Sequence, residues 1–415
     1  MSAHNFKRTK FACYAAYFTM SSIFSLPPLL FVIFHDTYGI SYTLLGTLVL
    51  TNFCTQLGID LIFTMFTKYF NVKKVVRVMP IITCVGMLIY ALVPMFLPEH
   101  AYAGLLAGTV IFSVSAGLSE VLLSPVIAAI PSDNPQKDMS LLHSLYAFGV
   151  FTVVVISTLF LKIFGSQNWM YLTIFFAVLP LTAAVLFMTS PMPDMDVNNS
   201  EPKSTSSTKK RTIGLAFCVA CIFFGSCAEN AMSNWISSYT ESALNIDKAM
   251  GDILGMAMFA ILLGMARIAY AKYGKNIFKI LLGGMIGAAV CYLVAGFSTG
   301  VIAPFVACIL TGVFTAMLWP GTLIMMEENV HGAGVAAFAL MAAGGDLGAS
   351  IAPQLMGIVI DSVSISKFAQ ELSITSGLSP EQIGMKAGML VTSLFPIIGI
   401  VIVLSCIRFF KKNKA

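Results

Sequence analysis

The sequence predicts an all-α integral membrane protein: twelve transmembrane helices in two pseudo-symmetric six-helix bundles. Three observations carry that prediction. Of the 415 residues, 58% are hydrophobic and only 10% are charged, where soluble domains have roughly 45–50% and about 25%. So few charges cannot cover a soluble surface of this size. Runs of about 18 or more apolar residues, each long enough to cross a hydrocarbon core of about 30 Å, occur twelve times. One polar stretch, residues 190–212, separates the sixth run from the seventh.

The first run, 11–34, follows Lys7, Arg8 and Lys10. Its length exceeds the roughly 7–15 residues of a signal-peptide core, and "LPPLLFVIF" stands where a cleavage site would need small residues. We read it as a retained helix, broken at "SLPP" because proline removes a backbone donor. The next five runs lie at 43–66, 76–97, 102–130, 140–163 and 168–189, completing an N-terminal bundle over 1–189. Residues 190–212, "SPMPDMDVNNSEPKSTSSTKKRT", are rich in Pro, Ser and Thr and end in a basic cluster, as expected of a flexible cytoplasmic linker. The C-terminal bundle, 213–415, holds runs at 213–238, 249–271, 277–298, 300–325, 334–360 and 386–409.

Lys and Arg set the orientation, because they are held back on the cytoplasmic side. With the N-terminus inside, alternate connections hold all but four of the 24 basic residues. The four are Lys162, Lys248, Lys367 and Lys386, in segments assigned outside. Both termini are therefore expected in the cytoplasm, in a plasma membrane. The net charge of +5 is explained by anionic lipid at the inner face and needs no nucleic acid. All nine cysteines fall in or beside apolar runs, so no disulfide framework is expected, and "CVAC" at 218–221 reads as helix packing. No zinc set or other metal or cofactor site is expected, since only His143 of the five histidines lies in a run.

The halves resemble each other. "GLSEVLLSP" (117–125) matches "GVFTAMLWP" (312–320) with Gly and Pro at the same spacing. "TKYFNVKK" (67–74) parallels "AKYGKNIF" (271–278), and "FG" (148–149) falls near "LG" (347–348). Such a repeat is the mark of a duplicated transporter bundle.

Four carboxylates sit inside the predicted helices: Asp60, Glu120, Glu229 and Asp346. Each would cost about 2.5–3.5 kcal/mol at a helix centre facing lipid, so they must face protein or a watery cavity. At about 1.5 Å per residue, Glu120 lies roughly 15 Å from the inner end of its helix, near the midplane. Glu229 lies roughly 24 Å along its own. Glu120 and Glu229 are the candidates for proton coupling, and Asp60, Arg267 and Asp346 for gating or structural charge. "AENAMSNWISSY" (228–239) sets Asn230, Asn234 and Trp235 beside Glu229 as a polar and aromatic stripe suited to sugar hydroxyls and C–H faces. Asn52 and Gln56 repeat that spacing in the second helix; His143 with Tyr146, and Trp319 in the "LWP" repeat, complete the candidate solute contacts. The bland alternative for each polar group is a hydrogen-bonded seam between helices, worth only about 0.6 kcal/mol per contact.

On these residues the chain resembles the major facilitator superfamily, and within it the fucose permease-like sugar–proton symporters. "GLSEVLLSPV" followed by "LLHSLYAFG" carries the resemblance most specifically, with "LPPLLFVIF", "NFCTQLGIDL" and "AENAMSNWISSY" in support. The resemblance implies the major facilitator fold and alternating access, with Glu120 matching the family's coupling glutamate. It places His143 and Tyr146 where fucose permeases have Gln and Asn, and finds no acid in "SLPPLL", where the family's helix 1 has an aspartate. The function expected is proton-coupled uptake of a sugar or related polyhydroxylated solute by a monomer in the lipid bilayer. The alternative is a proton antiporter exporting drugs or metabolites. No enzyme is expected: H-E-x-x-H, G-x-S-x-G and the P-loop pattern are all absent.

Overall fold

The computed structural model describes residues 6–66, 69–132, 135–193, 208–330 and 335–414. Among the described residues the regular structure is entirely helical. In the first half the order is α1 (Lys7–Leu29), α2 (Phe31–Tyr38), α3 (Tyr42–Phe66), α4 (Val72–Phe96), α5 (Ala101–Ala129), α6 (Pro135–Phe164) and α7 (Trp169–Thr189). The second half opens with α8 (Thr208–Ser238), α9 (Lys248–Met250), α10 (Met258–Tyr273), α11 (Ile277–Phe297) and α12 (Ile302–Thr315). It closes with α13 (Pro320–Asn329), α14 (Val335–Ser364), α15 (Lys367–Ser376), α16 (Pro380–Thr392) and α17 (Leu394–Lys414).

All twelve predicted runs fall on these helices. Among the described residues ten helical runs are long and apolar enough to cross a membrane, eleven if the bent pair α1–α2 is one span. The remaining run lies on α6, whose described apolar part, Phe148–Phe164, is shorter. The 47° bend between α1 and α2 falls directly after Pro27 and Pro28, whose missing donors leave the turn to be closed by Leu30 N–H on the Pro27 carbonyl, 3.0 Å.

Packing divides the chain into two units, residues 1–40 with 51–199 and residues 41–50 with 200–415. In the first, α4 packs closely on α5 and α7, and α1 on α6 and α7. Glycine permits the α4–α5 approach: a Cβ on Gly108 would lie 2.7 Å from the Gly86 carbonyl and from Tyr90. Small residues let backbones meet where lipid supplies no hydrophobic drive. One end of this unit is an aromatic cluster in which Trp169 stacks edge-on against Phe34 at 4.8 Å and Tyr90 at 6.2 Å. Elsewhere Val76, Met79, Leu123, Val126 and Phe187 form an apolar core against Cys13, Ala16 and Tyr17 of α1.

In the second unit, α8 packs on α14 and α17, α14 on α16, and α11 on α12, α16 and α17. Two stretches, Tyr239–Ala243 and Gly251–Ala257, wind as π-helix. The first turn of α3 belongs to this unit. Its Tyr42 and Thr43 N–H groups donate to the Asp361 carboxylate at 3.1 and 2.6 Å, and the Tyr42 hydroxyl donates to Glu381. A carboxylate on the free donors of a helix start is favourable both as a cap and against the helix dipole.

The duplication has a structural trace. Asn71 caps α4 by accepting from Lys74 N–H, and Asn276 caps α11 by accepting from Lys279 N–H. The Gly/Pro repeat diverges: Pro125 stays within the continuous α5, whereas Ala316–Trp319 break the helical path and Pro320 opens α13. Proline suits the first position of a helix because the donor it lacks has no partner there.

Candidate functional site

In the first unit, the polar groups of α3 form a stripe. Asn52, Gln56 and Asp60 recur every four residues and face α5. Ser113 donates to Asn52 Oδ1 at 2.6 Å, and Gln56 Nε2 donates to the same oxygen at 3.1 Å. Below them Gly117 admits α3 so closely that a Cβ there would lie 3.1 Å from both Asp60 Oδ1 and the Gln56 carbonyl. Asn52 and Gln56, expected as solute contacts, are both buried: Asn52 takes up Ser113 of α5, and Gln56 donates back along α3.

Glu120 follows Gly117 by one turn on α5 and is exposed. Asp60 lies within electrostatic reach of it, and Asp60 Oδ1 is buried without a hydrogen-bond partner. Among the described residues neither carboxylate has an ion pair. Tyr17 of α1 is within reach of both Glu120 and Tyr146. The Tyr146 ring stands edge-on to Phe24 at 5.9 Å, and Phe24 meets Phe53 at 5.8 Å. Two acids, two tyrosines and two phenylalanines from α1, α3, α5 and α6 therefore gather in one region. The side chain of His143 lies outside the described residues, as does most of the linker.

In the second unit, Glu229 of α8 pairs with Arg267 of α10, Nη2 lying 3.2 and 3.5 Å from the two carboxylate oxygens. Arg267 Nε donates to the Ala316 carbonyl at 2.9 Å, where α12 ends. Trp319, in the break, lies over Gly345: a Cβ there would be 2.3 Å from the indole ring. Asp346 follows and is buried. Asn230 donates through Nδ2 to Ser226, carbonyl and hydroxyl, both at 3.1 Å. Asn234 is buried and donates to the Asn230 carbonyl at 2.8 Å. Trp235 is fully buried, its Nε1 donating to the Pro353 carbonyl at 3.0 Å. The stripe read from "AENAMSNWISSY" thus splits: Glu229, Asn230 and Ser233 remain partly open, whereas Asn234 and Trp235 tie α8 internally and to α14.

Sequence reasoning missed a charged group. Asp252 is 1% exposed, accepts from the Ser237 hydroxyl and lies 3.6 Å from Lys248, which also pairs with Glu241 at 3.1 Å. Asp252 stands at the start of its run, where a charge reads as a span boundary. The Lys248–Asp252 spacing, one helical turn, was the signal available. Lys386, read as a loop residue, is buried in α16 with its ammonium on the Ser298 carbonyl, 2.6 Å, beyond the end of α11. A cation there complements the helix dipole. No group of three or more His, Cys, Asp or Glu suited to a metal ion occurs among the described residues.

The family model of the Major Facilitator Superfamily matches residues 11–353. Solved structures match along nearly the whole length. A bacterial homologue of the human lysosomal transporter Spinster, inward-facing and occupied, is similar with a TM-score of 0.75 at 12% identity, covering 100% of this chain and 99% of that one. The nucleoside transporter NupG, as a point mutant, gives 0.71 at 13%, covering 96% and 99%. The E. coli fucose:proton symporter FucP gives 0.59 at 13%, covering 97% and 99%. At such identities the likeness speaks for the fold alone. A comparison with curated protein sequences gives no match.

Proposed function

Because the chain belongs to the Major Facilitator Superfamily, and so is a membrane transporter rather than an enzyme, we propose that it takes up a sugar or related polyhydroxylated solute together with a proton. The observation that carries this reading is the pair Glu120 and Asp60. Carboxylates within a membrane span persist where they serve an ion or solute path. Here two acids share one region of the first unit without a counter-charge among the described residues, and a proton is the smallest cation that relieves their repulsion.

In this reading Glu120, the more open acid, loads and releases the proton, with Asp60 beside it and Tyr17 and Tyr146 as the adjoining hydroxyls. Half-buried aromatic rings and an amide, Tyr146 in the first unit and Asn230 and Trp319 in the second, offer the stacking and hydrogen bonds that a sugar requires. Glu229 is the second acid of the pathway, held by Arg267. The solute and proton are carried by alternating access, in a plasma membrane, by a monomer with both termini in the cytoplasm.

The test is uptake of a sugar panel into proteoliposomes under an imposed pH gradient. Symport predicts accumulation driven by an inward proton gradient, and alkalinisation of the medium on adding the solute. Acidification instead would support the second reading, proton-driven export, to which the 24 Met and 32 Phe lend an adaptable apolar lining. Accumulation driven by sodium without a pH gradient would overturn the proton assignment.

A further inference from the structure

We propose that Arg267 is a solute-binding residue and that the solute it takes bears a carboxylate, so that the transported compound is a polyhydroxylated acid. The inference rests on the polyhydroxylated-solute reading above and deepens it.

A guanidinium that serves only to neutralise a buried carboxylate would present its two-nitrogen fork, because two parallel N–H···O bonds satisfy both groups at once. Arg267 does otherwise. It meets Glu229 through Nη2 alone, one nitrogen spread over both oxygens at 3.2 and 3.5 Å. Its Nε is held by the Ala316 carbonyl, 2.9 Å. Among the described residues Nη1 has no hydrogen-bond partner, and 40% of the side chain is exposed against 19% for Glu229. A guanidinium in a membrane span avoids lipid, so the exposed part of the side chain faces water or solute.

Its position is fixed from two sides. The helical path ends at α12 and resumes at α13, and this break frees the Ala316 carbonyl to hold Nε. Broken helices in transporters put such backbone groups at solute sites. Glu229 holds Nη2 from α8. What remains is Nη1, fixed in a plane and presented with both donors open. A planar carboxylate oxygen suits that edge, because a charged acceptor takes those two donors in shorter and stronger hydrogen bonds than a neutral sugar hydroxyl does. The break also bears Trp319, half-buried, whose ring offers a face for the carbon skeleton of the same solute.

Counterflow in proteoliposomes tests this with matched pairs: glucose against gluconate and glucuronate, with succinate as an acid lacking hydroxyls. Wild type should exchange labelled glucuronate, with gluconate competing at least tenfold better than glucose. Arg267→Gln should raise the half-saturation for glucuronate at least tenfold, and Arg267→Lys should recover part of that loss. Exchange of glucose that Arg267→Gln leaves unchanged, with no competition by the acids, would overturn the inference and leave the sugar reading standing. Succinate competing as well as gluconate would overturn the polyhydroxylated reading and leave the carboxylate site standing. Exchange of no member of the panel would overturn both. If Arg267→Gln does not fold, competition in the wild type decides: glucose competing as well as gluconate refutes the proposal.

Discussion

Removal of either partner of the Glu229–Arg267 pair should destabilise the second unit, and removal of both should cost less than the two single losses added together. The separation is 3.2 Å, at which the gross Coulomb attraction is about 5 kcal/mol for an effective dielectric of about 20. Solvent screens much of that, because the two side chains are 40% and 19% exposed; a coupling of about 1–2 kcal/mol is the expected remainder. The two single variants should differ. Arg267→Gln leaves the less exposed carboxylate without its cation and should cost about 2–3 kcal/mol, below the range for a fully buried pair. Glu229→Gln leaves a guanidinium that water and the Ala316 carbonyl still serve, and should cost about 1–2 kcal/mol. The assay is unfolding in mixed micelles of wild type, both single variants and the double variant. A coupling below about 0.3 kcal/mol, the scatter of independent sites, would refute the pairing and with it the fixed guanidinium edge.

Three further outcomes are expected. Gly108→Ala should lower stability by about 1–3 kcal/mol, because its methyl would stand 2.7 Å from α4 backbone. Gly58→Ala, with open space at its Cβ, should be neutral or gain up to about 1 kcal/mol from helix propensity; equal effects in the same unfolding assay would contradict the close α4–α5 approach. Asp361→Ala removes the acceptor for two N–H groups at the start of α3 and should cost about 0.5–2 kcal/mol, visible as faster exchange of the Tyr42 and Thr43 amides. The third concerns Asp138, at the start of α6. Burial raises its carboxyl, but hydrogen bonds from Lys10 and Ser132 and the Lys10 charge outweigh that and hold it below the usual range. A depressed acid contributes its stability above the unfolded value, about 3.9, and loses it as pH falls through the lower folded value. Lys10→Met should therefore lower the unfolding midpoint at pH 7 and make no difference well below pH 3.9, as a pH series of midpoints would read.

Much of the fold was legible because the bilayer imposes it: every long apolar run became a helix, and Pro27–Pro28 marked the bend that follows them. The candidate site was legible only in part. Spacing every four residues put Asn52, Gln56 and Asp60 on one face, yet it could not say that Ser113, distant in sequence, takes up Asn52. The same limit applies to Trp235, whose aromatic character suggested a solute contact while its partner, the Pro353 carbonyl, lies on another helix. Arg267 reads from the sequence as a gating or structural charge until Glu229 and the broken helix at Ala316 are placed around it. Pairings across long sequence separations carry no periodic signal, and they decide which polar groups are left open.

The most direct test of the account is pH-gradient-driven accumulation by Glu120→Gln, measured beside counterflow in the same proteoliposomes. With one proton per solute, a gradient of one pH unit supports about tenfold accumulation, since a pH unit is worth about 1.36 kcal/mol. The account predicts that Glu120→Gln keeps counterflow and loses accumulation, because the amide fills the place of the acid without taking a proton. Undiminished accumulation by Glu120→Gln would contradict it.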